Sequence, residues 1–113
     1  MNIIAPENMD LVVTFNGETR SVEVNGEKAV LGRKSRSQKP DVDLNPDKSV
    51  SRRHAMIWAE GGKFWIEDLG STLGTYVNGL RRPKFEVRFG DKIHVGKTMI
   101  QLMPSKLSEM GTG

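Results

Sequence analysis

Short runs rich in Val, Ile, Phe, Trp and Thr recur from Leu11 onward, each closed off within a few residues by Gly, Asn, Asp or Pro. Such runs are too short for helices, which need about ten residues or more to bury a face, and they suit half-buried strands. Three Asn-Gly pairs, Asn16-Gly17, Asn25-Gly26 and Asn78-Gly79, sharpen that reading. Both residues of this dipeptide accept the positive φ that a two-residue hairpin turn requires. Gly61-Gly62 separates two further strand-like runs. The chain therefore reads as all-β, with strands expected over residues 11–15, 20–24, 28–32, 42–44, 54–59, 63–68, 76–77, 86–88, 92–95 and 99–103. In one of these runs, Phe64, Ile66 and Asp68 would share a face opposite Trp65, Glu67 and Leu69. Neither face is cleanly apolar, so the register of that strand stays open.

A chain of 113 residues is long enough for one hydrophobic core and too short for two. A single domain is expected over residues 11–103, between flexible tails at 1–10 and 104–113 that lack strand patterning. The formal charge of +3 comes from 17 basic residues dispersed among 14 acidic ones. That is not the field of a dedicated nucleic-acid clamp, but it leaves room for a local anion site. The absence of cysteine removes disulfides, zinc–thiolate sites and thiol nucleophiles at once. No basic leader precedes an apolar run, and no stretch approaches the ~20 apolar residues of a membrane span. A soluble, cytoplasmic protein without a membrane partner is the expectation.

Three segments carry chemistry: Gly32-Arg33, Ser51-Arg52-Arg53-His54, and the run from Gly70 to Gly79 that includes Ser71-Thr72-Leu73-Gly74-Thr75. A guanidinium meets two phosphate oxygens with a planar fork and stays charged at physiological pH, so Arg33 is the primary phosphate candidate. Gly32 would let the backbone turn or approach a neighbour closely. Ser51 ends a polar loop, where its hydroxyl and adjacent backbone N–H groups can converge on an anion. His54 can donate from one ring nitrogen and accept at the other, which suits bracing the loop. Thr72 can donate to a phosphate or to a peptide backbone, and Asn78 suits a turn or a side-chain bridge.

Ser51 and His54 could also be read as nucleophile and base, but no third orienting acid or oxyanion-hole motif accompanies them. No metal cluster, paired carboxylate set or cofactor motif is visible, so neither enzyme activity nor a cofactor is expected. Asp41-x-Asp43-x-Asn45 begins like a calcium loop, yet Pro46 stands where Gly is needed and Arg52 where the final Glu belongs. Gly96-Lys97-Thr98 lacks the upstream Gly and following helix of a nucleotide loop.

In their order and spacing the three segments resemble the forkhead-associated (FHA) domain, over roughly residues 11–103. The Ser-Arg-Arg-His form resembles bacterial members of that family more closely. The resemblance implies an all-β FHA-like sandwich of about ten to eleven short, mostly antiparallel strands with binding loops at one end. It also implies a phosphothreonine-peptide-binding adaptor in kinase-linked signalling or assembly, whose partner is a phosphothreonine-containing protein such as a Ser/Thr kinase substrate. Carried over by position, Arg33 and Ser51 would bind the phosphate, with Arg52 and Thr72 contributing. Leu73 and Arg53 would contact the peptide, and Gly32, His54, Gly74 and Asn78 would shape the loops. Family selectivity for phosphothreonine over phosphoserine implies a small pocket for the threonine methyl. Leu73 is the main departure: it stands where the family usually has an Asn that hydrogen-bonds the peptide main chain. It can neither donate nor accept there, and would weaken or redirect peptide recognition.

Two other readings stay open. A nucleic-acid surface could draw on Arg33, Lys34, Arg36, Lys39, Arg52, Arg53, Arg81, Arg82 and Lys84 at one end of the sandwich. Strong salt dependence with indifference to phosphorylation would mark it, and nucleic acid is not the expected partner. A phosphate-independent interaction module on the same scaffold would instead use a sheet face or Leu73, and would tolerate loss of Arg33.

Overall fold

The computed structural model describes residues 9–24 and 28–104. These form eleven strands: β1 (Met9–Phe15), β2 (Glu18–Val24), β3 (Lys28–Gly32), β4 (Val42–Asp43), β5 (Ala55–Glu60), β6 (Lys63–Asp68), β7 (Thr75–Val77), β8 (Leu80–Arg81), β9 (Lys84–Val87), β10 (Lys92–Val95) and β11 (Thr98–Pro104). One sheet runs β2-β1-β11-β10-β7-β8 and the other β4-β3-β5-β6-β9. Every neighbouring pair of strands is antiparallel except β3 with β4. The all-β chain expected from the turns and runs, and the sandwich that the resemblance implies, are thus the observed architecture. The differences lie at the edges. The first strand starts at Met9, the last ends at Pro104, and the two-residue β8 was not anticipated. The Asn25-Gly26 pair and the remainder of the expected tails lie outside the described residues.

Period-2 alternation builds the core as two facing rows. Across the six-stranded sheet, Val13 pairs with Ile100, Ile100 with Ile93, and Ile93 with Val77. Across the five-stranded sheet, Ala29 pairs with Ile57, Ile57 with Ile66, and Ile66 with Phe85. All eight are buried, and a fully buried Ile or Val contributes roughly 1.5–3 kcal/mol. The open register of β6 is settled by these neighbours. Ile66 faces the core, whereas Trp65 lies opposite Trp58, with the Lys84 ammonium 5.2 and 5.3 Å from their ring centroids. Two expected turns take the required shape: Asn16-Gly17 (φ 54° and 83°) joins β1 to β2, and Asn78-Gly79 (φ 50° and 86°) joins β7 to β8.

Topology gathers the chemistry-bearing segments at one end. Leu31 pairs with Ala55 and Ala55 with Asp68, so the end of β3, the start of β5 and the end of β6 are level. In the other sheet Val95 pairs with both Thr75 and Thr98, which sets the start of β7 level with the β10–β11 turn.

Candidate functional site

Gly32 and Arg33 leave the core where β3 runs against the 51–53 segment. A Cβ on Gly32 would overlap the Arg52 carbonyl, and the Arg33 N–H donates to that carbonyl at 3.2 Å. The role of this glycine is therefore close approach, since its φ is not in the left-handed region. Arg33 Nε donates to the Val50 carbonyl at 3.0 Å, which fixes the side chain while leaving both Nη groups for an external acceptor. No carboxylate lies within ion-pair distance of that guanidinium among the described residues.

His54 is fully buried. Its Nδ1 accepts from the Ser51 N–H at 3.0 Å, so the neutral ring carries its proton on Nε2, which donates to the Gly74 carbonyl at 2.8 Å. One imidazole thereby ties the 51–53 loop to the 69–74 loop. It meets the main chain of Ser51 and not its hydroxyl, which is no arrangement for a nucleophile and base. The Ser51 Oγ instead accepts from the Thr72 N–H at 3.0 Å, leaving its own proton to donate outward.

Arg33, Ser51, Thr72 and Leu73 line one open depression together with Lys48, Ser49 and Val50. Arg52 and Arg53 are exposed and do not line it. Asn78 stands apart: its side chain accepts from the Lys92 N–H (3.0 Å) and donates to Asp91 (3.1 Å). Lys48 and Ser49 were not singled out from sequence; a basic residue three positions before Ser51 was the available signal.

Three aspartates hold the surrounding loops. Asp68 accepts from the Gly70 and Ser71 N–H groups and from the Ser71 and Thr75 hydroxyls, and Ser71 Oγ accepts in turn from the Gly74 N–H. Asp47, buried, accepts from the Ser49 N–H and hydroxyl, the Lys97 N–H and the Thr98 hydroxyl. It thereby fastens the loop before Ser51 to the β10–β11 turn. Asp43 accepts from the main-chain N–H groups of Lys34 and Asn45 and from the Asn45 amide. Burial by itself would raise each carboxyl, but the donors outweigh it and all three are held below the usual carboxylate value. The Asp41–Asn45 and Gly96–Thr98 motifs are thus absorbed in loop bracing, with Asp41 accepting from the Val30 N–H at 2.7 Å. Among the described residues no group of three His, Cys, Asp or Glu side chains could hold a metal ion, and no helix is long and apolar enough to cross a membrane.

These features define a class: a two-sheet β-sandwich whose loops at one end bring the Arg33 guanidinium and the side chains of Ser51 and Thr72 to one depression. The FHA domain profile matches residues 29–96, and the chain belongs to the FHA domain family. It is similar to the glycogen accumulation regulator GarA of Mycolicibacterium smegmatis, 37% identical over 76 residues. That match covers 66% of this chain and 48% of the relative, so the chain spans about half the length of that protein. Among solved structures, the FhaA FHA domain complexed with the intracellular domain of a second protein superposes with a TM-score of 0.73 at 30% identity, covering 84% of this chain and 99% of that one. An FHA domain solved in a structural and functional analysis of phosphothreonine-dependent interactions gives 0.69 at 30% identity, covering 82% and 94%.

Proposed function

We propose that this domain is a phosphothreonine-peptide reader, an adaptor that docks phosphorylated proteins such as Ser/Thr kinase substrates in signalling or assembly in the cytoplasm. The observation that carries the reading is the convergence of a preset Arg33 guanidinium, the Ser51 hydroxyl and Thr72 on one depression. Arg33 supplies the fork to the phosphate oxygens, Ser51 donates its hydroxyl proton, and Thr72 adds its hydroxyl. Arg52 and Arg53 lend positive charge from the rim, Arg52 toward the phosphate and Arg53 toward the peptide. Gly32, His54 and Gly74 hold these groups in place, with Asn78 ordering the adjoining hairpin. Val50 and Leu73 give the same depression an apolar side on which a threonine methyl can rest, worth on the order of 1 kcal/mol over phosphoserine.

Leu73 alters how the peptide main chain is held. At 48% exposure, it offers apolar contact where a hydrogen-bonding side chain would be usual. The same exposure favours a second reading, phosphate-independent docking through Leu73. Titration of the isotopically labelled domain with a phosphothreonine peptide separates the two. Amide shifts at Ser51, Thr72 and Gly74 that vanish with the unphosphorylated peptide are expected. Equal shifts with both peptides would favour phosphate-independent docking.

A further inference from the structure

We propose that β2 is an open sheet edge at which two copies of this chain join, β2 pairing antiparallel with β2 of the second copy around Ser21. A sheet edge exposes unpaired N–H and C=O groups, and folded proteins shield it with short strands, Lys, Pro or bulges. The two sheets of this sandwich end in β2, β8, β4 and β9. Three of these are shielded in that way: β8 and β4 have two residues each, and β9 has four and begins with Lys84. β2 is not. It runs for seven residues without Pro or Lys, and its pairing with β1 is unbroken from Phe15↔Glu18 to Met9↔Val24. Glu18, Thr19, Arg20, Ser21 and Glu23 are all exposed.

The Asn16-Gly17 turn decides which groups face outward. A two-residue loop is closed by a hydrogen-bonded pair, here Phe15 with Glu18, and the ladder then alternates. Glu18, Arg20, Val22 and Val24 therefore spend their main-chain groups on β1, while those of Thr19, Ser21 and Glu23 point away from the sheet. The Thr14–Thr19 pair agrees: its hydroxyl oxygens lie 3.0 Å apart, as suits the closer side chains of a non-hydrogen-bonded pair.

Self-pairing fixes the register. Outward groups must meet outward groups, and all three residues of each strand take part only when Ser21 lies opposite Ser21 of the second copy. Thr19 then faces Glu23 on either side of it, and about six inter-chain N–H···O=C bonds form. The same register sets Arg20 opposite Val22 and Glu18 opposite Val24, so no like charges are opposed. Arg20 is moreover turned toward β4, donating to the Asp43 carbonyl at 2.5 Å. Each copy uses the same edge, so the contact closes at two chains and does not grow into a filament. Strand pairing alone buries little surface, which makes the association weak.

The dimer sets two phosphate seats at opposite ends, a consequence that rests on the phosphothreonine reading above. Thr14 pairs with Met99, so the Phe15–Glu18 end of the hairpin lies at the loop end of the sandwich. Antiparallel pairing places that end of one copy beside Val24 of the other. The dimer thus joins two phosphorylated partners from opposite sides.

Sedimentation equilibrium between about 10 μM and 1 mM tests the pairing. Wild type should move from one chain toward two across that range. Amide exchange in the concentrated sample should slow at Thr19, Ser21 and Glu23 relative to the dilute one, with Arg20 and Val22 unchanged. Ser21→Pro removes an N–H that β1 does not use. This variant should fold, stay monomeric, and bind a singly phosphorylated peptide within about twofold of wild type. Ser21→Lys opposes two ammonium groups at the centre of the pair and should weaken association about threefold or more; melts of dilute samples check that both variants fold. A wild type that stays monomeric throughout, association unchanged by either substitution, or concentration-dependent protection elsewhere in place of these three amides overturns the inference. Those results leave phosphothreonine reading untouched, whereas a dimer that behaves as expected but binds no phosphopeptide upholds the pairing and overturns that reading.

Discussion

Removing the Arg33 guanidinium takes away a cation that the fold itself sets at the Ser51–Thr72 depression, beside Lys48, since its Nε is already spent on the Val50 carbonyl. A charge-assisted hydrogen bond contributes about 1.5–3 kcal/mol. Arg33→Ala should therefore lower phosphopeptide affinity by roughly 10- to 150-fold in a calorimetric titration, with little change in melting temperature. Leu73→Asn works in the opposite direction. Restoring a donor and acceptor to the peptide main chain should tighten binding by about 0.5–1.5 kcal/mol; unchanged affinity would count against a lost contact. Gly32→Ala tests the framework. Its Cβ would meet a backbone carbonyl, so a loss of about 1–3 kcal/mol in denaturant unfolding is expected. At this scale the sequence was informative wherever residue type alone dictates chemistry, as for Arg33, Ser51 and His54. It was silent on Lys48, Ser49 and Asp47, and offered Arg81 only as one of a basic set, because their neighbours come from distant segments. Asp47 meets Lys97 and Thr98, and Arg81 meets Gly74.

The loops between strands are braced by aspartates, and this gives them an acid limit. Asp43, Asp47 and Asp68 are all lowered in the folded state, so at acidic pH the unfolded chain binds more protons than the folded one. Their stabilisation is fully present above the ordinary carboxylate value near 4 and is lost as pH falls through the lowered folded values. Thermal melts should thus hold steady from neutrality to about pH 5 and drop below about pH 4. Asp47→Asn and Asp68→Asn should each lower stability at neutral pH and flatten that acid limb; an unchanged limb in both would place the acid sensitivity elsewhere. Strands were legible where alternation and turn residues agreed. The short β8 escaped because Leu80–Arg81 carries no alternation to detect. The face of β6 was ambiguous because each face mixes apolar residues with an acidic one, and only pairing with Trp58 and the cover by Lys84 sends Trp65 outward.

As a whole the molecule separates a core that fixes the fold from one end that carries the loops. The two facing rows through Ile93 and Ile66 belong entirely to the core. Ile66→Ala should cost about 2–5 kcal/mol, read as a lower denaturant midpoint with unchanged slope, and should leave peptide affinity intact wherever the domain remains folded. The sandwich was readable because period 2 and tight turns are local properties. Which loops meet was not, because it depends on how the strands order themselves within two sheets. The basic residues illustrate the gap: in the sequence they could have pooled at one end, but Lys84 is turned over Trp58 and Trp65, and Arg82 over Phe85. The central claim is that the remaining cationic end reads phosphothreonine. It is tested most directly by titrating wild type and Arg33→Ala with one peptide in phosphothreonine, phosphoserine and unphosphorylated forms at two salt concentrations. The account predicts saturable binding of the phosphothreonine form, weaker binding of the phosphoserine form by about fivefold, none of the unphosphorylated form, and phosphopeptide affinity lowered roughly 10- to 150-fold in the variant. Equal binding of the three forms, or phosphopeptide affinity unchanged by Arg33→Ala, would contradict it.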